Sequence, residues 1–259
     1  MILSRRVSLD EVQLDSLDNR IIISGFEEDP ADETFRSVSV YPFGSRITDH
    51  HLDKKKITVK FQLRVRKGSF SDRNEILEKI EQWANTKTVL KSSTRPNRQI
   101  SVNCTQKPGR SDPRKWTNEY QMTFEATGVP VWEATTATTK ALTQGSTGSD
   151  TITMNCSAET VGEATIQNKS GSTLNTLSLT VNGYEMEFTD LGLANNGYLV
   201  IDHTKVKEKE VLRVRIGNTS KMECMSGDDE FILKPGENEI SYSAGGEVIV
   251  TVSAKGRFL

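Results

Sequence analysis

The feature that most constrains this chain is the stretch from Lys55 to Leu90, KKITVKFQLRVRKGSFSDRNEILEKIEQWANTKTVL. Ile57, Val59, Phe61, Leu63 and Val65 alternate with Thr58, Lys60, Gln62, Arg64 and Arg66. Such a period of two puts five apolar side chains on one face of a pleated strand and three cations on the other. Gly68 interrupts the pattern. Asp72 followed by Glu75 resembles a capping box, and Ile76, Leu77, Ile80, Trp83 and Ala84 recur at helical spacing, which predicts a helix over about 72–85. A strand, a short turn and an amphipathic helix therefore share one core.

The flanking segments read as further antiparallel β-structure. Residues 20–24 (RIIIS) and 35–41 (FRSVSVY) are expected to be short strands, with the acidic run 27–33 (EEDPADE) a loop between them. Residues 42–56, opening on Pro42 and dominated by polar and charged side chains, are expected to form a long exposed arm. A strand beginning at Thr88, a turn at 95–98, alternating Ile100, Val102 and Cys104, and the period-two run from Trp116 to Ala126 complete this region. Residues 134–150 (ATTATTKALTQGSTGSD) have the composition of a linker. Beyond them lie nine short alternating runs, at 151–156, 164–167, 177–181, 185–188, 198–201, 211–216, 231–233, 239–242 and 248–252, separated by turn residues and without helical periodicity. The expectation is a mainly β protein. It has an N-terminal antiparallel β domain with one packed helix over 1–133 and a C-terminal β-sandwich over 151–259.

Charge sorts the same way. Residues 1–130 hold 22 Lys and Arg against 18 Asp and Glu, a net of +4, whereas the remainder holds 11 against 17, a net of −6. The small, interleaved positive excess does not argue for nucleic-acid binding. No segment approaches the ~20 apolar residues of a membrane-spanning helix. The opening MILSRRVSLDEVQL lacks a signal-peptide core, so synthesis in a cytoplasm is expected. Cys104, Cys156 and Cys224 are expected to be buried free thiols.

Catalytic chemistry finds no pattern. His50 and His51 sit together in a charged loop and His203 follows Asp202, which suits solvated loop histidines better than metal ligands, and Asp228-Asp229-Glu230 lacks the spacing of a calcium loop. No nucleophile elbow is present, and Gly236 in KPGEN reads as a hairpin turn that admits positive φ rather than as a phosphate cradle. No catalytic residue, metal or cofactor is expected.

Three blocks carry a resemblance to a known family: ITVKFQLRVRKGSFSDRNEILEKIEQWAN, the junction MTFEATGVPVWEA, and the closing series GYLVIDHTKVKEKEVLRVRIGN, FILKPGENEIS and EVIVTVS. In this order they resemble the distal tail proteins of siphophages and prophages of Gram-positive bacteria. The resemblance implies a hexameric ring of first domains at the tip of a tail tube, with a galectin-like or carbohydrate-module-like sandwich on the outside. It implies a virion tail-tip location and a hub that joins tube protein, tail-tip proteins and receptor-binding proteins. It further implies that DNA passes through the ring without specific binding. Complementary charge on one protomer suits a head-to-tail ring contact, so Lys60, Arg64 and Arg66 are expected to meet Glu27, Glu28 and Asp29 of a neighbour. The alternative is a lectin-like adsorption protein. Against it, Trp83, Trp116 and Trp132 all precede the sandwich, leaving tyrosines such as Tyr184, Tyr198 and Tyr242 to face a sugar.

Overall fold

The computed structural model describes residues 6–29, 33–40, 44–52, 55–86, 88–109, 118–127, 129–206 and 209–259. The chain divides into two units, Met1–Trp132 with Leu259, and Glu133–Phe258.

In the first unit the strands are β1 (Val7–Leu9), β2 (Val12–Gln13), β3 (Ile21–Asp29), β4 (Glu33–Val40), β5 (Gly44–Leu52), β6 (Lys56–Leu63), β7 (Val89–Ser92), β8 (Arg98–Gln106), β9 (Glu119–Ala126) and the start of β10 (Trp132–Ala134), with one helix, α1 (Phe70–Thr86). An antiparallel sheet runs in the order β2-β1-β7-β8-β9-β6-β3. The alternation in β6 is realised as expected: Ile57, Val59 and Phe61 are wholly buried and Leu63 nearly so, while the intervening side chains reach solvent. Helix α1 starts two residues before Asp72 and turns Ile76, Leu77, Ile80, Trp83 and Ala84 inward. Trp83 meets Phe124 of β9 edge-on, ring centroids 6.4 Å apart, and its indole N–H donates to the Val12 carbonyl at 2.9 Å.

One expectation for this unit is corrected and another is refined. Glu27, Glu28 and Asp29 lie on β3, not in a loop, because the strand continues through a bulge at Ile23/Gly25 and stays in register with β6, Glu27 opposite Thr58 and Asp29 opposite Lys56. Within the expected arm of 42–56, β5 pairs with β4 from Val40↔Gly44 to Glu33↔Leu52 as a two-stranded ribbon, a strand that the polar composition did not signal. Trp116 and the rest of 110–117 lie outside the described residues.

The second unit contains β11 (Thr138–Ala141), β12 (Gly145–Met154), β13 (Thr160–Val161), β14 (Glu163–Asn168), β15 (Leu177–Val181), β16 (Tyr184–Phe188), β17 (Tyr198–Val206), β18 (Lys209–Ile216), β19 (Thr219–Ser220), β20 (Met225–Gly227), β21 (Ile232–Leu233), β22 (Gly236–Ala254) and β23 (Arg257–Phe258). Its main sheet follows β19-β18-β17-β14-β22-β15-β16-β20, and β11 and β12 also pair with β22. The axis of the unit is β22, a single strand where two separate runs were expected. Its first half pairs with β15 and its second half with β14. The change of partner falls at Gly245-Gly246, where a Cβ would come within 2.6 Å of Thr176 Oγ1 and 2.5 Å of Ser170 Cβ, so glycine is what fits between these close neighbours. The sheet curls over Ile166, Leu179, Phe188, Ile201, Val214 and Val250, all in its buried core.

The segment 134–150 is not a linker. Thr138 to Ala141 face Ala254 to Thr251, and Gly145 to Met154 face Val248 to Gly236, so these residues line β22 along its length. Their small polar side chains point mostly to solvent while the backbone makes the ladder, and threonine is itself a good strand former. Gly236 does adopt positive φ, at 92°. It does not close a hairpin, because β21 pairs with β13 rather than with β22. Buried Asn238 holds this turn, donating to the Lys234 and Gly236 carbonyls at 2.8 and 3.0 Å and accepting from the Lys234 N–H at 2.7 Å.

Candidate functional site

The charged face of β6 and the acidic end of β3 come together within one chain. Lys60 Nζ donates to Glu27 Oε1 at 2.5 Å, both side chains about half exposed. Gly25, opposite Lys60, makes room for the lysine stem, its absent Cβ lying 3.0 Å from Lys60 Cβ. Glu28 is committed inward. Its carboxylate accepts two bonds from the Arg95 guanidinium, at 3.0 and 3.2 Å, and one from the Trp132 indole N–H at 3.0 Å, with Lys55 Nζ at 3.8 Å. Burial pulls the Lys55 ammonium below the usual lysine range, Glu28 opposing and Arg95 reinforcing the effect. Asp29, Arg64 and Arg66 are exposed and have no ion-pair partner among the described residues. The structure therefore brings Lys60 to Glu27, draws Glu28 into a charge network, and leaves the other three of the six expected contact residues exposed without an ion-pair partner among the described residues.

That network was not foreseen. Its partners lie 67 and 104 residues from Glu28, a separation at which no local pattern links them. What β3 does offer a neighbour is its backbone. It is last in its sheet, and among the described residues no strand pairs with its outer side.

In the second unit His203 is not a solvated loop histidine. It lies on β17, half-buried, with Nδ1 3.1 Å from the Gly162 carbonyl, and desolvation pulls its pKa below the ordinary histidine value. The side chains of His50 and His51, on β5, lie outside the described residues. Near His203, buried Arg257 pairs with Glu210 and lies 3.8 Å from Glu133. Among the described residues no group of three His, Cys, Asp or Glu side chains is placed to hold a metal ion, and no helix is long and apolar enough to cross a membrane. The three cysteines are free but only partly buried, and desolvation raises the thiol pKa of Cys104 and Cys156. Of the tyrosines considered for a sugar face, Tyr184 and Tyr198 are exposed, whereas Tyr242 belongs to the core, its hydroxyl donating to the Thr143 carbonyl at 2.6 Å.

No protein-family model and no curated protein matches the chain. Among solved structures it is similar to the SPP1 Dit protein, described as a paradigm of the hub adsorption apparatus in phages that infect Gram-positive bacteria. Identity is 14% and the TM-score 0.68, over 98% of this chain and 99% of that one. It also aligns with a chain of the phage p2 baseplate in its activated conformation, at 11% identity and a TM-score of 0.46 over 97% of both, a score too low to add to the fold assignment. The likeness to the SPP1 protein runs through both units from end to end and establishes a shared fold.

Proposed function

We propose that this chain is a structural hub of a phage tail tip. Its first unit assembles head-to-tail with further copies into a closed ring, six by the family resemblance, around the channel through which DNA leaves the tail tube. Its second unit docks the neighbouring tail-tip and receptor-binding proteins. The observation that carries this reading is the end-to-end likeness of both units to the SPP1 Dit protein. Two features of the chain support it. The nine-residue β3 ends its sheet with an open outer side, a surface suited to heterologous pairing with the next protomer. Lys60 is neutralised by Glu27 of its own chain, so this face carries less free positive charge than its sequence alone suggests, which suits a conduit that must not grip its cargo.

The test is oligomeric state, measured by multi-angle scattering and native mass spectrometry at micromolar protein, with and without the tube protein of the same phage. A closed oligomer is expected, with duplex DNA bound no better than by a non-specific control. A monomer under every condition, with no assembly on tube protein, overturns the hub reading.

A further inference from the structure

One stretch of sheet edge in the second unit is left open beside a groove. Lys221 N–H donates to the Val214 carbonyl at 2.8 Å, so at Val214 the polar backbone groups of β18 point away from β17. In an antiparallel strand those groups alternate sides residue by residue. The β17–β18 register runs without a shift from Ile216 back to Lys209, so Leu212 and Glu210 present their N–H and C=O groups on the same outer side. There β19 covers only Arg215 and Ile216. Among the described residues no strand lies against the edge from Glu210 to Leu212.

The groove beside this edge has a volume of about 620 Å³, and Val161, Phe231 and Ile232 give it apolar walls. Val211 stands on the same strand with 44% of its surface exposed. The rim is acidic. Glu159, Asp229 and Glu230 are exposed, and no described cation pairs with any of them. The one cation lining the groove, Arg257, is taken up by Glu210 and Glu133. Open backbone groups, apolar walls and an unneutralised negative rim together define what fits: an extended chain whose amides complete the ladder and whose side chains are apolar and basic by turns.

We propose that the Glu210–Leu212 edge of β18 and the groove between it and β21 capture an extended segment of a partner protein, alternating apolar and basic residues, by strand addition. The proposal rests on the reading of the second unit as the docking unit and names the surface that docks. Charge complementarity selects this occupant over an acidic or nucleic-acid partner, which the rim repels.

The experiment titrates the full chain, by fluorescence anisotropy, into a labelled peptide of about eight residues alternating Lys and Val, long enough to span the open edge. Two control peptides accompany it, one with Glu in place of each Lys and one N-methylated at alternate amides so that it cannot complete the ladder. Saturable binding is expected for the Lys/Val peptide, weakened by about tenfold or more for either control and for the Glu159→Lys/Glu230→Lys variant. Equal binding of the N-methylated peptide overturns strand addition. Equal binding of the Glu peptide, or undiminished binding by the variant, overturns the acidic rim as the selector. The peptide controls hold whether or not the variant folds. Oligomeric state is read separately, so loss of peptide binding with an intact ring refutes this inference alone, and a monomer that still binds the peptide refutes the ring alone.

Discussion

Replacing Trp83 with alanine tests how the first unit is held together, and the structure sets the size of the effect. The indole is only 4% exposed, packs edge-on against Phe124, and donates its N–H to the Val12 carbonyl at 2.9 Å. Truncation removes a large buried ring and leaves a cavity between helix and sheet, a change that costs about 3–5 kcal/mol. Trp83→Phe separates the contributions: it keeps most of the ring packing and removes the hydrogen bond, so about 1–2 kcal/mol is expected. Urea titration followed by tryptophan fluorescence reports on the first unit selectively, because Trp83, Trp116 and Trp132 all precede residue 133. The alanine variant retains two of these probes. A loss below about 1 kcal/mol for Trp83→Ala is what surface substitutions give, and it would refute the packing of α1 on the sheet.

Three further outcomes are expected. Glu28→Ala, which strands Lys55 and Arg95 without their carboxylate, should destabilise the first unit by about 3 kcal/mol, and Glu28→Gln by less; equal and negligible effects in the same titration would show that the network contributes nothing. Trypsin should leave Lys140 uncut in the native protein, since Lys140 faces Val252 across the ladder and pairs with Asp150 at 2.7 Å; mass spectrometry showing first cleavage there would contradict the pairing of β11. The hydrogen bond from Arg20 holds the Asp18 carboxyl at about 2, below the 3.8 of an unperturbed aspartate. Its stabilisation is therefore complete above the unfolded value and lost as pH falls toward 2, so the deficit of Asp18→Asn in urea midpoint should shrink across that window, and a deficit independent of pH would rule the linkage out.

The parts of this fold that were legible are those whose period is local. The four alternating apolar residues of β6 and the helical spacing of α1 each specify a buried face within a few residues. The errors came where composition was read in place of pairing. Glu27 to Asp29 look like a loop until β6 stands beside them, and the Thr- and Ser-rich 134–150 looks like a linker until β22 stands beside its strands. Gly245-Gly246 punctuates the sequence like a turn, yet in a sheet that curls the same pair is what keeps β22 one strand. The candidate contact residues show the same limit. Charge complementarity between β6 and β3 was visible, but not that Lys60 would satisfy Glu27 of its own chain, nor that Glu28 would turn toward Arg95 and Trp132.

That difference changes what salt should do to the proposed ring. The sequence suggested three cations meeting three carboxylates across a subunit boundary, an interaction that screening weakens steeply. In the structure Lys60 and Glu27 neutralise each other and Glu28 is spent inside the unit, so only Arg64, Arg66 and Asp29 remain, two of one sign and one of the other. A contact built on the open side of β3 then depends on backbone hydrogen bonds and apolar burial, which ions screen far less than exposed pairs. Raising salt from about 0.05 to about 0.5 M shortens the screening length from roughly 14 to roughly 4 Å. Assembly measured by light scattering across that range should weaken by less than about tenfold, the equivalent of about 1.4 kcal/mol. A loss of about a hundredfold or more would mean that several exposed ion pairs hold the boundary and that the charged residues, not the strand edge, close the ring.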